Sequence, residues 1–410
     1  MKQDHLTLIP LFFFSFISTK IFAYTAYFSS NTYGQVVAVN TANNSIITTI
    51  SDISSPSYMT ITPNSHYLYT SSLSENLITV IDTSTNARIT TISDSNYIIS
   101  PRAIAASPDG ESIYVTNLSS NYVGIISTST NTVTSQINIG APTSNIAINP
   151  AGTIAYIYSL PSEGLFYVVN LLNHSMVTIP TGTNIQNIIF SIDGTKVYVA
   201  DFDNNVVIVY DASSGVELTT IAVGNSPIYI SMSPTGEFLY VANYNGNSVS
   251  VINTTTQSVI GSPISVSINP SGIAITPDGA VVYTANEGGN ANVISTSNNM
   301  VTSTLDLPVS PLNVIVTPLS TPRSLSGIKN KNNFGIRYEL YNTLSWTRGD
   351  SEETTGYNIY RNGTLIGSTS GINATTFSDH QREEGASYQY SIRAKAAGNV
   401  LSFPITLTID

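Results

Sequence analysis

The side chains able to do acid–base, nucleophilic or metal chemistry are few in this chain and widely separated. Beyond residue 23 there are three histidines, His66, His174 and His380, and the sequence contains no cysteine. The histidines fall in a hairpin turn, an outer-strand turn and a loop of the C-terminal segment, so they build no histidine-based triad and no multi-histidine zinc site. Without thiolates there is no disulfide scaffold, no lipid-modified cysteine, no thiolate metal site and no haem attached through C-x-x-C-H. Neither G-x-S-x-G nor H-E-x-x-H occurs. Two short motifs remain. In "DFDNN", Asp201, Asp203 and Asn205 alternate at a spacing that could wrap a calcium ion, but the glycine and glutamate of a calcium-binding loop are missing. The equivalent stretches "LSSNY", "YNGNS" and "EGGNA" read as ordinary turns, so no metal and no cofactor is expected. Arg348, Gly349 and Asp350, followed by Ser351, spell a tetrapeptide that attaches some extracellular proteins to cell-surface receptors; the competing reading is an ordinary solvated loop.

The elements that must position such residues start with an export signal. "MKQDHLTLIPLFFFSFISTKIFA" has Lys2 near its start, a mainly apolar run from Leu6 to Ile17 and a small residue, Ala23, at its close, the pattern of a signal peptide over residues 1–23. The run is too short to span a bilayer and no later segment is long and apolar enough to try, so no membrane insertion is expected. Export without disulfides suits a bacterial protein that is periplasmic, at the cell surface or secreted. Between Tyr24 and Pro318 the only basic residues are Arg88, Arg102 and Lys196, against sixteen Asp and Glu, a balance of −13. From Leu319 onward nine basic residues face eight acidic ones, and this shift marks a domain boundary near residue 318. So acidic a first segment makes nucleic acid an unsuitable partner, because phosphate affinity rests on Lys and Arg.

A repeat organises residues 24–318. A tyrosine recurs inside a short apolar stretch as Tyr27, Tyr69, Tyr114, Tyr156, Tyr198, Tyr240 and Tyr283, at spacings of 42 to 45 residues. Each copy holds four short apolar or β-branched runs, the first ending in a Pro-x-Gly or Asp-Gly turn such as Pro108-Asp109-Gly110. Four-stranded units of this length in tandem predict a seven-bladed β-propeller, all-β, in which neighbouring blades cover each other's apolar faces. The first copy lacks the strand before Tyr27, and "PLNVIVTP", Pro311 to Pro318, supplies a spare one after the last copy. It is expected to complete blade one and clasp both chain ends. The residue three after each tyrosine is small and polar (Ser30, Ser72, Asn117, Ser159, Asp201, Asn243, Asn286), suited to bonding the turn backbone as the strand ends.

These copies resemble the YVTN family of seven-bladed bacterial propellers, whose motif stands here as Tyr114-Val115-Thr116-Asn117. The resemblance covers Tyr24 to Pro318 and implies fold far more than function, since that family is mostly uncharacterised exported protein. Residues 319–410 follow a different pattern: Trp346 on an early strand, alternation through Tyr357 and Ile359, an Asn362-Gly363 hairpin and then Tyr388-x-Tyr390-x-Ile392-x-Ala394. This segment resembles a fibronectin type III β-sandwich, an immunoglobulin-like fold, with Tyr388 in the place of the tyrosine-corner residue. In such domains a Trp followed by Asp and then Gly-Tyr is common, which gives Asp350 a structural reason to be present.

In a propeller the residues at the start of each innermost strand ring the mouth of the central channel, which here nominates Tyr58, Arg102, Asn145, Asn187, Tyr229 and Asn313. Arg102 is placed where an anionic group could arrive, or where it could cap acidic neighbours on the rim. With so thin a catalytic inventory, the expectation is an exported, non-enzymatic binding or adhesion protein. It would contact a protein or glycan through propeller-face loops rich in Ser, Thr, Asn and Tyr, with a monomer favoured. The alternative is a lactonase-like propeller enzyme acting on a small metabolite at the channel mouth.

Overall fold

The computed structural model describes residues 24–409 apart from 182–183, 319–322, 334–337, 348–353, 381–385, 397–400 and 403–404. The proposed signal peptide and the Arg348-Gly349-Asp350 motif lie outside the described residues. Every regular element among the described residues is a strand. Thr25–Ser30, Gln35–Asn40 and Ser45–Ile50 are the outer three strands of blade one, and the innermost is Asn313–Val316, from the far end of the repeat region. The two segments pair antiparallel, Ala26 opposite Val316 and Ser29 opposite Asn313. Six further four-layered blades start from Met59–Ile61, Pro101–Ala106, Thr143–Ile148, Ile185–Phe190, Pro227–Met232 and Pro270–Ile275. In blade six the outermost layer is split into Ser258–Val259 and Ile264–Ser265. The ring is therefore closed as "PLNVIVTP" predicts.

Closure explains the sequence pattern strand by strand. The second strand of each blade is covered on both faces and reads as an almost unbroken apolar run, whereas an outermost strand such as Met300–Asp306 alternates with solvent. Apolar side chains gather between blades: Tyr27 and Val36 meet Met59 and Leu68, and around the ring Tyr283 and Val293 of blade seven meet Phe28 and Val314 of blade one. The recurrent tyrosine does two jobs there. In four blades its ring is buried and its hydroxyl crosses to an asparagine in an outer hairpin turn of the next blade: Tyr27 donates to Asn86 Oδ1 at 2.7 Å, Tyr69 to Asn131 at 2.5 Å, Tyr240 to Asn299 at 3.2 Å and Tyr283 to Asn44 at 2.5 Å. The four acceptor asparagines have positive φ, the left-handed turn conformation that asparagine tolerates.

The turns obey equally local rules. In blade three, Ser107 Oγ donates to Asp109 Oδ1 at 2.5 Å and the Gly110 amide donates to the Ser107 carbonyl at 2.9 Å. Gly110 has φ +77°, and a Cβ there would lie 3.3 Å from Cδ of Pro63, the hairpin proline of the preceding blade. Glycine is needed for the conformation as well as for the close approach of the two turns. The residue three after the tyrosine does bond turn backbone in several blades: Asn117 accepts from the Ile99 amide at 2.9 Å and donates to the Tyr122 carbonyl at 2.7 Å, and Ser159 Oγ accepts from the Leu165 amide at 3.0 Å.

The C-terminal segment forms two sheets. One is Arg323–Asn333, Tyr338–Thr347 and Thr376–Asp379; the other, in spatial order, is Thr364–Ser370, Gly356–Arg361, Tyr388–Lys395 and Ile405–Ile409. Leu344, Trp346, Tyr357, Ile359, Tyr390 and Ile392 form a common core, with the Trp346 and Tyr357 rings edge to face at 5.2 Å. Asn362 and Gly363 both have positive φ, as their hairpin requires. The buried, doubly bonded tyrosine of this sandwich is Tyr390, not the Tyr388 expected from the pattern: its hydroxyl donates to Asp379 Oδ2 at 2.5 Å and accepts from Asn342 Nδ2 at 2.9 Å. Tyr388 is half-buried, its ring 5.3 Å from the Arg361 guanidinium.

Candidate functional site at the channel mouth

Every innermost strand starts on the same face of the ring, so their first residues surround one end of the channel. Tyr58, Asn145, Asn187, Tyr229 and Asn313 share one register, five residues before the hairpin. Arg102 comes one residue earlier, and Ala103 holds the shared position in blade three. The pairing of these strands slips at their starts, between Pro101 and Ile104, Thr143 and Asn145, Ile185 and Asn187, and Pro227 and Tyr229. Such bulges re-aim side chains at a rim, which lets an off-register residue join the mouth. In blade seven the shared position is Gly272, where a Cβ would stand 2.9 Å from both Asn313 Cα and the Val314 nitrogen; glycine there lets blade seven close against the clasp.

The mouth is spanned by a hydrogen-bonded network. Arg102 donates through Nε to the Tyr58 hydroxyl at 3.1 Å and through Nη2 to Gln186 Oε1 at 2.9 Å, with its guanidinium carbon 5.5 Å from the Tyr58 ring centre. Gln186 Nε2 donates to Asn184 Oδ1 at 2.7 Å, and Asn184 Nδ2 reaches Asp203 Oδ1 on the rim at 3.3 Å. Asn145 Nδ2 donates to the Gln186 carbonyl at 2.9 Å. The Tyr58 ring is tilted against that of Tyr229 at 6.5 Å, and the Tyr229 hydroxyl accepts from Asn313 Nδ2 at 2.9 Å. Tyr58, Arg102, Asn145, Tyr229 and Asn313 thus come together. Asn187 does not join them, because its Oδ1 accepts the Ile230 amide of the next blade at 3.2 Å.

Gln186 and Asn184 lie outside the set that the sequence nominates. The signal was available: in the register that places Arg102 one residue ahead of the shared position, the blade-five counterpart is Gln186.

Two electrostatic features define what this arrangement can do. Arg102 does not cap acidic neighbours; its partners are a phenol and an amide, and among the described residues no carboxylate pairs with it. Its positive charge is held in place without being neutralised. Burial pushes the Tyr229 hydroxyl well above the usual tyrosine range, with the Tyr58 hydroxyl adding to the effect, so the group stays protonated. A guanidinium and neutral phenols can polarise a carbonyl, stabilise an oxyanion and supply a proton.

The "DFDNN" stretch is used otherwise. Asp201 accepts from the Asn204 amide at 3.1 Å and from Asn204 Nδ2 at 2.8 Å, while Asn205 Oδ1 accepts from the Ser226 amide at 2.7 Å. Among the described residues no cluster of three His, Asp or Glu side chains is placed to hold a metal.

Fold and mouth together define a seven-bladed propeller with a polar channel opening that holds one guanidinium. The chain belongs to the family described as lactonase, 7-bladed beta-propeller, whose model matches residues 20–142 and 174–268. No curated protein matches the chain significantly. Among solved structures it is similar to a putative 6-phosphogluconolactonase from Bacteroides fragilis, with 15% identity over 73% of this chain and 99% of that one and a TM-score of 0.60. A putative 6-phosphogluconolactonase from Bacteroides uniformis matches at 15% identity over 72% and 99%, TM-score 0.58. Hydrazine synthase of Kuenenia stuttgartiensis matches at 18% identity over 67% and 92%, TM-score 0.60. At such identities the structural likenesses establish fold alone.

Family membership overturns the expectation of a non-enzymatic binding or adhesion protein and favours the lactonase-like alternative. The physical reason is that scarcity of histidine and cysteine does not exclude catalysis of every kind. Opening an activated cyclic ester needs neither a nucleophilic side chain nor a metal, provided the developing oxyanion is stabilised.

Proposed function

We propose that the protein is a lactone hydrolase working at the channel mouth, and the observation that carries this is the carboxylate-free guanidinium of Arg102, held by Tyr58 and Gln186. Water adds to the lactone carbonyl carbon, and the carbonyl oxygen, gaining negative charge, is stabilised by Arg102. The ring C–O bond then breaks. The departing alkoxide takes a proton from Tyr229, which is kept protonated by burial and has its oxygen occupied by Asn313. The proton lost by the attacking water passes to solvent at the open mouth and Tyr229 is reprotonated from it, leaving a hydroxy acid. One unneutralised cation in a segment of balance −13 suits a neutral or singly charged lactone better than a phosphorylated sugar lactone.

The two-sheet division of the C-terminal segment, three strands against four, supports a fibronectin type III assignment for it, and the recurrent tyrosines support a YVTN-type repeat. Residues 1–23 support export to the periplasm, the cell surface or the medium.

The test is hydrolysis of a panel of uncharged and carboxylated lactones, followed by proton release. Wild type is expected to turn over at least one of them, and Arg102→Gln to lower kcat/KM by about 10² to 10³. No turnover of any lactone, or equal turnover by the variant, would overturn the proposal.

A further inference from the structure

The channel continues below the mouth. Below the mouth a cavity of about 530 Å³ runs along the later halves of the innermost strands, with Tyr229 and Asn313 at its upper boundary. Its walls are apolar: Met59, Ile148, Phe190, Met232, Ile275 and Val316 are among them. At its far end the propeller hairpin residues Pro150, Pro234 and Pro318 are joined by Arg393, Leu401 and Ser402 of the sandwich. Arg393 lies in the strand Tyr388–Lys395, and Ser402 is fixed beside it by two bonds to Ala394: the Ser402 amide to the Ala394 carbonyl and the Ala394 amide to Ser402 Oγ, both 2.9 Å.

Arg393 is unlike the chain's other well-placed cations. Arg102 is held by a phenol and an amide, and Arg361 by Asp379 at 3.1 Å, whereas Arg393 has neither a hydrogen-bond partner nor a carboxylate among the described residues. Burial disfavours its charged form, and the nearby Tyr360 hydroxyl offsets this only in part. Arg393 borders this apolar chamber on one side and a polar cleft with Asp193 and Lys196 on the other, with neither side chain bonded to it, and a partly desolvated guanidinium at the end of a chamber of ligand-binding size is a half-made ion pair. We infer that this chamber binds an aliphatic monocarboxylate, its chain along the propeller walls and its carboxylate on Arg393.

Charge and shape both select this ligand class. A neutral alkane or alcohol would leave Arg393 as it is, and a small polar anion would leave the apolar walls wet. An amphipathic monoanion satisfies both ends, and a planar carboxylate matches the guanidinium fork. The site is separate from the proposed hydrolysis at the mouth, and because its readout is binding, either reading can fail while the other stands.

The experiment is calorimetric titration of the full-length protein with dodecanoate and, in parallel, dodecanol. Dodecanoate is expected to bind with one site per chain, roughly tenfold or more tighter than dodecanol, and Arg393→Gln to abolish that preference. Arg393→Lys should restore part of it, which separates loss of charge from damage to the fold. No binding of dodecanoate, equal binding of acid and alcohol, or an acid preference that survives in Arg393→Gln would each overturn the inference.

Discussion

The two ends of the channel carry one guanidinium apiece and use it in opposite ways. At the mouth Arg102 is clamped between Tyr58 and Gln186, inside a network that draws on blade after blade. At the far end Arg393 is brought in by another domain and stands at the end of an apolar cavity, with no bonded side-chain partner among the described residues. A held charge surrounded by neutral donors is arranged for a transition state, because its position is fixed before charge develops. A charge that is desolvated and unpaired is arranged for a ground-state ligand that completes it. The same side chain can serve catalysis or binding, and its neighbours determine which.

The largest effect should come from a change that breaks both ends at once. Val314 is 3% exposed, packs in the core shared by blades seven and one, and lines the cavity. Val314→Asp would bury an unpaired carboxylate in the clasp that closes the ring, at a cost of about 4 kcal/mol or more. Denaturant melts should show the propeller transition displaced or lost, with hydrolysis and dodecanoate binding disappearing together. A variant that melts like wild type would mean that the clasp contributes little to closure.

A smaller, more selective change should separate the ends. Tyr229 bounds both, so Tyr229→Phe removes only the hydroxyl: hydrolysis should fall by about a hundredfold, while the phenyl ring still walls the cavity and dodecanoate binding persists. The pH dependence follows the same group. Tyr229 must be protonated to donate, and burial raises its pKa, so the wild-type alkaline limb should lie above the ordinary tyrosine value of about 10. A rate that already falls below that value, or one unchanged in the Phe variant, would remove Tyr229 from the mechanism.

Much of the propeller end was legible in the sequence because the repeat makes it so. The tyrosine period fixes blade number, "PLNVIVTP" predicts the clasp, and aligned strand starts nominate Tyr58, Asn145, Tyr229 and Asn313. The strand starts also nominate Arg102; what they do not show is that the bulges bring Gln186, from the same off-register position, against it. The far end was not legible. No repeat relates Arg393 to the propeller, and its place in one cavity with Met232 and Ile275 depends on how two domains pack. Function is hard to read from the sequence for a chemical reason, since an arginine beside neutral partners carries no signature comparable to a histidine cluster.

The smallest effect should come from a tyrosine that belongs to neither end. Tyr69 is fully buried, and its hydroxyl donates to Asn131 in the next blade at 2.5 Å. Tyr69→Phe keeps the ring and loses the bond, so it should cost about 0.5–1.5 kcal/mol at neutral pH and leave hydrolysis and dodecanoate binding alone. The pH dependence of that cost has a definite sign. Burial raises the Tyr69 pKa above its unfolded value, with Tyr67 adding to the shift, so its contribution is complete below about pH 10 and lost as the pH rises through the folded value. The stability gap between wild type and Tyr69→Phe should therefore narrow in alkaline urea melts, because phenylalanine cannot ionise. A gap that is constant through this range, or that widens, would mean that the hydroxyl between blades two and three contributes through something other than a neutral donor bond. If the variant instead lowered hydrolysis, blade packing would be setting the geometry of the mouth, and the two ends could no longer be treated as independent of the ring that holds them.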